Sequence, residues 1–246
     1  MSKSLISKAL LFSAIFVLSI FPFTPALISQ EQEIKPVPVG QPMPDISLPS
    51  FQGETVTLSK LKGKNVLIIF PRGYAGEGRW CTIDNYKYAE LVDLEKTEQV
   101  RKKYGLEIIF VFPYGKEVVQ QWVDSNPDQL AKIKDWKYPV EPDKLAEKDK
   151  QMMIRATAGF PKDFSMKKGE EPTPFPILID ADRKLSKGLG IFATEWGGSK
   201  VDQNMAAEMI VDKDGVVQFK YIGQNTWDRP TYAYLLKFIN WMNTCR

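Results

Sequence analysis

The apolar run from Val66 to Phe70 is continuous and partly β-branched, the pattern of a strand buried on both faces. Leu106 to Phe112 reads as a second such strand. Between them, Ile83 to Tyr104 carries charged and apolar residues at helical spacing, with Tyr88, Leu91 and Leu94 on a common side. Gly105 closes that helix, and Val118, Val119 and Trp122 predict another after the second strand. This strand–helix–strand–helix order implies a parallel sheet core with right-handed crossovers. Further on, Phe175 to Ile179 reads as a strand and Lys184 to Gly188 as a short helix. Met209 to Val217 is predicted as a hairpin turning on Asp214-Gly215. Arg229-Pro230 is predicted to open a final amphipathic helix bearing Tyr234, Leu235, Phe238 and Trp241.

Both ends of the central pattern are less regular. Gln52 to Leu58 reads as a turn and a short alternating strand, and Leu61 to Lys64 as a turn. Five prolines (Pro36, Pro38, Pro42, Pro44, Pro49) make the stretch before it a stiff, extended lead-in. At the start, Lys3 and Lys8 precede an apolar run from Ala9 to Phe21, followed by Pro22, Pro25 and a polar stretch. Residues 1–29 therefore read as a signal peptide or N-terminal anchor, with Thr24 and Ala26 as small residues before a cleavage site. The run is short against the roughly 20 apolar residues of a membrane span, although extension to Ile28 would just reach. The folded part is expected outside the cytoplasm, periplasmic or secreted, and on a membrane only if this leader stays uncleaved. Residues 30–39 form the lead-in and 40–246 one domain, with a Lys-, Asp-, Glu- and Pro-rich insertion at about 126–173 holding a surface helix near Lys144 to Thr157.

Composition narrows the chemistry mainly through one absence. The chain of 246 residues contains no histidine, which removes Ser-His-Asp and Cys-His nucleophile pairs, His-ligated zinc and haem, and an imidazole base. The net charge of +3 is mild, and Lys167-Lys168 and Arg101-Lys102-Lys103 are too short to track a phosphate backbone, so no nucleic-acid partner is argued. Asp180, Asp182, Asp212 and Asp214 lack the spacing of a calcium loop, and no cofactor or metal is expected. Trp122, Trp136 and Trp241 read as packing residues, while Tyr74, Glu77 and Trp80 are candidates for the mouth of a pocket.

Two cysteines remain. Cys81 follows a buried strand and a glycine-rich loop (Gly73, Gly76, Gly78) and precedes an amphipathic helix. Unpaired amides and the helix dipole at such a position stabilise a thiolate, lowering its pKa from about 8.5 into the range ~3.5–7.5. Arg72 and Arg79 are near in sequence and add candidate positive charge. An inert buried cysteine, or half of a structural disulfide with Cys245, is the alternative reading of the same position.

Several segments, in order, resemble the peroxiredoxins (the alkyl hydroperoxide reductase and thiol-specific antioxidant family) of the thioredoxin-like superfamily. Gly40 to Leu48, with Pro44-Asp45, resembles the family's opening; Thr57 to Pro71 resembles its turn and central strand. Cys81-Thr82-Ile83-Asp84 resembles its cysteine at a helix start, and Phe175 to Asp180 and Ile210 to Val216 its later strands. The resemblance runs from about Gly40 to Met242 and implies a thioredoxin-like α/β fold, a central mixed sheet with helices on both faces. It further implies reduction of hydrogen peroxide or organic hydroperoxides through Cys81 as the peroxidatic thiol. A thiol reductant such as a thioredoxin-like protein, and a homodimer, would follow. Cys245 would be a resolving thiol, within the chain or across a dimer, and Arg72 or Arg79 would stabilise the thiolate.

The departures are specific. Gly78 and Tyr74 stand where the family has Thr or Ser and Pro, unless about three inserted residues let Pro71 serve. Arg72-Gly73-Tyr74 and Trp80-Cys81 resemble a subgroup pattern split by Ala75 to Arg79, with Asp84 where that subgroup often has a second cysteine. Ala206 occupies the place of a peroxide-binding Arg, for which Arg229 is another candidate. Two rivals follow. An exported thiol-disulfide oxidoreductase is opposed by the lack of Cys-x-x-Cys, and a degenerate binding or structural module predicts a Cys81 of ordinary pKa.

Overall fold

The computed structural model describes residues 34–169 and 173–245, so the leader predicted over 1–29 lies outside the described residues. In chain order the strands and helices are β1 (Ser47–Pro49), β2 (Thr55–Thr57), β3 (Asn65–Phe70), β4 (Tyr74–Gly76), β5 (Arg79–Trp80), α1 (Thr82–Glu98), α2 (Val100–Tyr104), β6 (Leu106–Phe112) and α3 (Lys116–Lys137). They continue with α4 (Glu147–Gly159), β7 (Ile177–Ile179), α5 (Lys184–Gly188), β8 (Phe192–Ala193), β9 (Gln203–Asn204), β10 (Ala207–Val211), β11 (Val217–Ile222) and α6 (Tyr232–Thr244).

The central sheet has the order β11-β10-β3-β6-β7. β3, β6 and β7 run parallel, β10 runs antiparallel to β3, and β11 pairs antiparallel with β10. Every residue of β3 is buried, as its unbroken apolar run predicts. Alternation along it assigns the faces. Leu67 and Ile69 join Leu91 of α1, Trp122 of α3 and Leu235 of α6 in one core. Val66, Ile68 and Phe70 join Ile46, Leu58, Leu185 and Ile191 in the other. Three long helices thus cover one face, and the extended N-terminal segment with short α5 covers the other.

Four local differences from the sequence reading have physical causes. The helix expected over Ile83 to Tyr104 breaks at Gln99, which is left-handed (φ 50°). That turn lets Val100 enter the core while the Glu95 carboxylate accepts from the Arg101 backbone N–H at 3.1 Å. The insertion expected from 126 starts inside α3, which continues through Pro127. Pro127 has no N–H for the Val123 carbonyl, and the Asn126 side-chain amide donates to that oxygen instead, at 3.0 Å. Asn126 is fully buried and accepts from Asn85 of α1 at 2.9 Å, which ties the two helices together. The rest of the segment supplies α4, packed through Ala156 and Phe160 against Tyr86 and Leu130 as an outer layer.

The glycine-rich loop is in fact the β4–β5 hairpin. Lastly, Thr231, not Arg229-Pro230, caps α6, accepting from the Tyr234 N–H at 3.2 Å. Tyr232, Leu235, Leu236, Ile239 and Met242 face the core, and Tyr234 and Trp241 are exposed. Met209 to Val217 does form the expected hairpin, with Gly215 at φ +89° and the Asp212 carboxylate accepting from the Asp214 and Val216 amides.

Candidate functional site

The candidate site lies beyond the C-terminal end of β3, the end of parallel strands where α/β folds tend to bind ligands. Pro71, Arg72 and Gly73 follow β3, and the hairpin then loops residues 74–80 out and back. Tyr74 pairs with Trp80, their rings stacked at 4.3 Å, so Cys81 returns to Gly73 and donates from its backbone N–H to the Gly73 carbonyl at 2.8 Å. The split pattern in the sequence is therefore an excursion with closed ends. Gly73 has φ +78°, and a Cβ there would meet the Tyr114 ring at 2.5 Å. Only glycine fits both demands.

Cys81 is the N-cap of α1, buried and free. Asp84, one turn on, accepts from the Gly73 N–H through Oδ2 and from Arg229 Nη2 through Oδ1, both at 3.1 Å. Arg72 is buried, and among the described residues its hydrogen bonds go to neutral acceptors. Nε donates to Gln203 Oε1 at 2.7 Å, and Nη2 to Ser199 Oγ at 2.9 Å and the Trp196 carbonyl at 3.2 Å. Its guanidinium also lies 5.4 Å from the centre of the Trp196 ring.

The electrostatics correct the sequence expectation. The Cys81 thiol is pushed up to about 11, first by burial and then by the Asp84 carboxylate. Arg229, the Asp84 amide and Arg72 pull the other way without overcoming it. The helix terminus is present as predicted, but desolvation of a thiolate outweighs it. Of the two expected thiolate stabilisers, Arg72 acts on the sulfur. Arg79 is exposed, with its guanidinium folded over Gly76 at the cleft. Arg229, which the sequence left as one more candidate cation, is the guanidinium with the larger effect.

Beneath Arg229 is a small cavity of ≈ 10 Å³ where Asp84, Lys87, Glu208 and Tyr232 meet Ile69, Phe70 and Phe110. Glu208 sits in β10 on the face of Ile210, and its Oε2 has no hydrogen-bond partner among the described residues. Burial raises it to about 7, against the pull of Arg229 and Lys87. Sequence pattern gave no signal for it, because one glutamate in an apolar strand reads as facing solvent.

Cys245 is exposed at the far end of α6. Its neighbour Asn243 accepts from Asn65 Nδ2 at 2.9 Å and donates to the Tyr104 carbonyl at 2.8 Å, at the N-terminal end of β3. Cys81 lies past the opposite end. Along a six-residue strand that separation is about 17–20 Å, far beyond the roughly 4.4–6.8 Å Cα spacing of a disulfide. Capture of Cys81 by Cys245 of the same chain is therefore not accommodated by this fold, which leaves the form between chains.

An open cleft of ≈ 230 Å³ adjoins Cys81. Arg72, Arg79 and Lys132 contribute its cations, and Ile83, Trp136, Met152 and Trp227 much of its apolar wall. Trp80 shapes the mouth as expected, whereas Trp136, read as a packing residue, faces the cleft. Among the described residues no group of three or more Cys, Asp or Glu side chains is arranged to hold a metal ion.

The AhpC/TSA family model matches residues 39–220. Among solved structures, the chain is similar to a cysteine-to-serine mutant of peroxiredoxin 6 from Arenicola marina, with TM-score 0.55 and 13% identity over 85% of this chain and 74% of that one. It is similar to AhpC of Mycobacterium tuberculosis, with TM-score 0.53 and 14% identity over 86% and 96% of the two chains. For Mycobacterium bovis AhpC the TM-score is 0.50 and the identity 14%, over 86% and 95%. No curated protein matches. At such identities the likeness is one of fold, the thioredoxin-like α/β arrangement.

Proposed function

Because the chain belongs to the AhpC/TSA family, we propose that it is a thiol-dependent peroxidase that reduces hydroperoxides through Cys81 outside the cytoplasm. One observation carries this reading: Cys81 caps the N-terminus of α1 at the edge of an open cleft, with the buried Arg72 and Arg229 guanidiniums acting on its sulfur. The deprotonated sulfur attacks the terminal oxygen of a hydroperoxide; an S–O bond forms as the O–O bond breaks. The alcohol or water leaves with the proton that the thiol gave up, and sulfur is oxidised to sulfenic acid. Arg72, whose hydrogen-bond partners among the described residues are neutral, offsets negative charge on the leaving oxygen. Return to the thiol takes two reducing equivalents from a dithiol protein such as a thioredoxin-like partner, with release of water. In a homodimer, Cys245 of a second copy is a thiol able to condense with the sulfenic acid. The basic start and apolar run of the leader support export.

Burial pushes the Cys81 thiol up to about 11, which works against thiolate formation at neutral pH. A second reading is a binding module of this fold with an unreactive cysteine; it calls for an ordinary thiol, and a thiol held protonated by burial is unreactive as well. Stopped-flow peroxide consumption by the purified chain beside Cys81→Ser separates them, with mass spectrometry of Cys81 after one equivalent of peroxide. Consumption lost in the variant, with sulfenic acid at Cys81, is the expected result. Reaction no faster than that of a free thiol overturns the peroxidase and leaves the module.

A further inference from the structure

Resting on the peroxidase reading, we propose that Gln203 is a positioning residue of the reaction. Its neutral amide fills the place where a carboxylate would pair with Arg72, and so keeps the guanidinium charge for the oxygen that leaves when Cys81 attacks.

Burying a cation is costly, and the ordinary compensation is a carboxylate in contact with it. Lys137 follows that rule through Asp163 at 2.6 Å, and Arg229 through Asp84 at 3.1 Å. Arg72 is as deeply buried and departs from it. Among the described residues its guanidinium meets the Gln203 amide, the Ser199 hydroxyl, and the carbonyl and ring of Trp196. The neighbouring carboxylates are committed elsewhere. Asp202, next to Gln203 in the chain, pairs with Arg183 at 2.7 Å, and Asp84 accepts from Gly73 and Arg229.

The surroundings of Gln203 fix which end of its amide Arg72 meets. Gln203 is fully buried in β9, and its Nε2 donates to the Ser199 and Val201 carbonyls at 3.2 and 3.1 Å. Those carbonyls can only accept, so the amide nitrogen belongs to them and Oε1 is left for Arg72 Nε, at 2.7 Å. Ser199 works the same way: its hydroxyl accepts from Arg72 Nη2 and passes its own proton to the Ala75 carbonyl. Backbone contacts fasten the loop between β8 and β9 in place. The Asn204 N–H donates to the Arg72 carbonyl at 3.2 Å, and the Tyr114 hydroxyl to the Asp202 carbonyl at 2.9 Å. Arg72 is thus held by groups that orient it and add no negative charge. Arg72 lines the cleft with Cys81 and Gln203 does not, so Gln203 acts through Arg72. A fixed charge is worth most where water is excluded, and a carboxylate in contact would cancel much of it.

The experiment compares Gln203→Glu, which supplies the missing carboxylate at nearly unchanged volume, with Gln203→Met, which also loses the two Nε2 donors but adds no charge. Stopped-flow oxidation of Cys81 by hydrogen peroxide is expected to slow about tenfold or more in Gln203→Glu, and distinctly less in Gln203→Met. Equal slowing in the two overturns the proposal and leaves Gln203 a packing residue. So does an unchanged rate in folded Gln203→Glu. Should the buried variant fail to fold, Ser199→Asp brings a carboxylate to Arg72 from the half-buried loop, with Ser199→Asn as its uncharged control. The same inequality is expected there, and equal rates overturn the proposal. Iodoacetamide labelling of Cys81 needs no peroxide and so separates this role from the peroxidase reading. Its pH profile should shift upward in Gln203→Glu, with labelling about threefold slower near pH 9, and stay close to the parent in Gln203→Met. If no peroxide oxidises Cys81 in the parent chain, the peroxidase reading fails and labelling alone decides: an unshifted profile in Gln203→Glu overturns the assignment of Gln203.

Discussion

Arg229 donates from Nη2 to Asp84 Oδ1 at 3.1 Å, across 145 residues of sequence, with both side chains only 4% exposed. The pair joins the segment before α6 to the first turn of α1, directly beside Cys81. It also fixes the polarity of the site, because Asp84 raises the thiol and Arg229 lowers it. Replacing Asp84 by Asn removes the opposing charge and leaves the cation. The Cys81 thiol in Asp84→Asn is therefore expected to titrate below about 11, with faster alkylation at pH 8. The pH dependence of iodoacetamide labelling measures this, and an unchanged midpoint would remove Asp84 from the account. Loss of a buried partner also costs about 3–5 kcal/mol of stability, so labelling belongs in conditions where the variant is shown to be folded.

Glu208 makes stability depend on pH with a defined sign. Its folded pKa of about 7 lies above the ordinary 4.5, so between these values the native state holds a proton that the unfolded chain releases. Stability is thus fully present below pH 4.5 and falls as pH rises through 7, by about 3 kcal/mol. Glu208→Gln should abolish that slope, matching the parent near pH 4 and exceeding it near pH 8. Denaturant unfolding at a series of pH values provides the check.

Asn126 and Pro127 should be energetically coupled. Asn126→Ala leaves the Val123 carbonyl without a donor and takes a partner from Asn85, an expected loss of about 2–3 kcal/mol. Pro127→Ala restores a backbone N–H in reach of that carbonyl. A double-mutant cycle should show Pro127→Ala to be more stabilising in the Asn126→Ala background than in the parent by about 1 kcal/mol. Strict additivity would mean that the amide does not substitute for the missing N–H.

Oxidation should not join Cys81 to Cys245 within one chain. The two lie past opposite ends of β3. Peptide mapping after peroxide treatment at low protein concentration is expected to find no such intramolecular disulfide. A crosslink that forms through Cys245 should depend on protein concentration and vanish in Cys245→Ser. An intramolecular bond at high dilution would require this end of α6 to leave the sheet.

The alternation and length of apolar runs determined β3, β6, α5 and the β10–β11 hairpin, because each depends on local period and turn chemistry. The position of Cys81 at a helix start was legible for the same reason. Its state was not. Whether a terminus lowers a thiol or burial raises it depends on how much water the surrounding layers exclude, which no window of sequence contains. The partners of the site were equally hidden. Asp84 and Arg229 meet across 145 residues, and Glu208 turns inward only because β10 pairs with β3 in the register that sets Glu208 opposite Ile69. Trp136 read as a packing residue within an insertion, and the tertiary structure made it and Lys132 one wall of the cleft by carrying α3 through Pro127. Local spacing fixes which element a residue joins. Pairing and packing between distant segments fix which charges it must face.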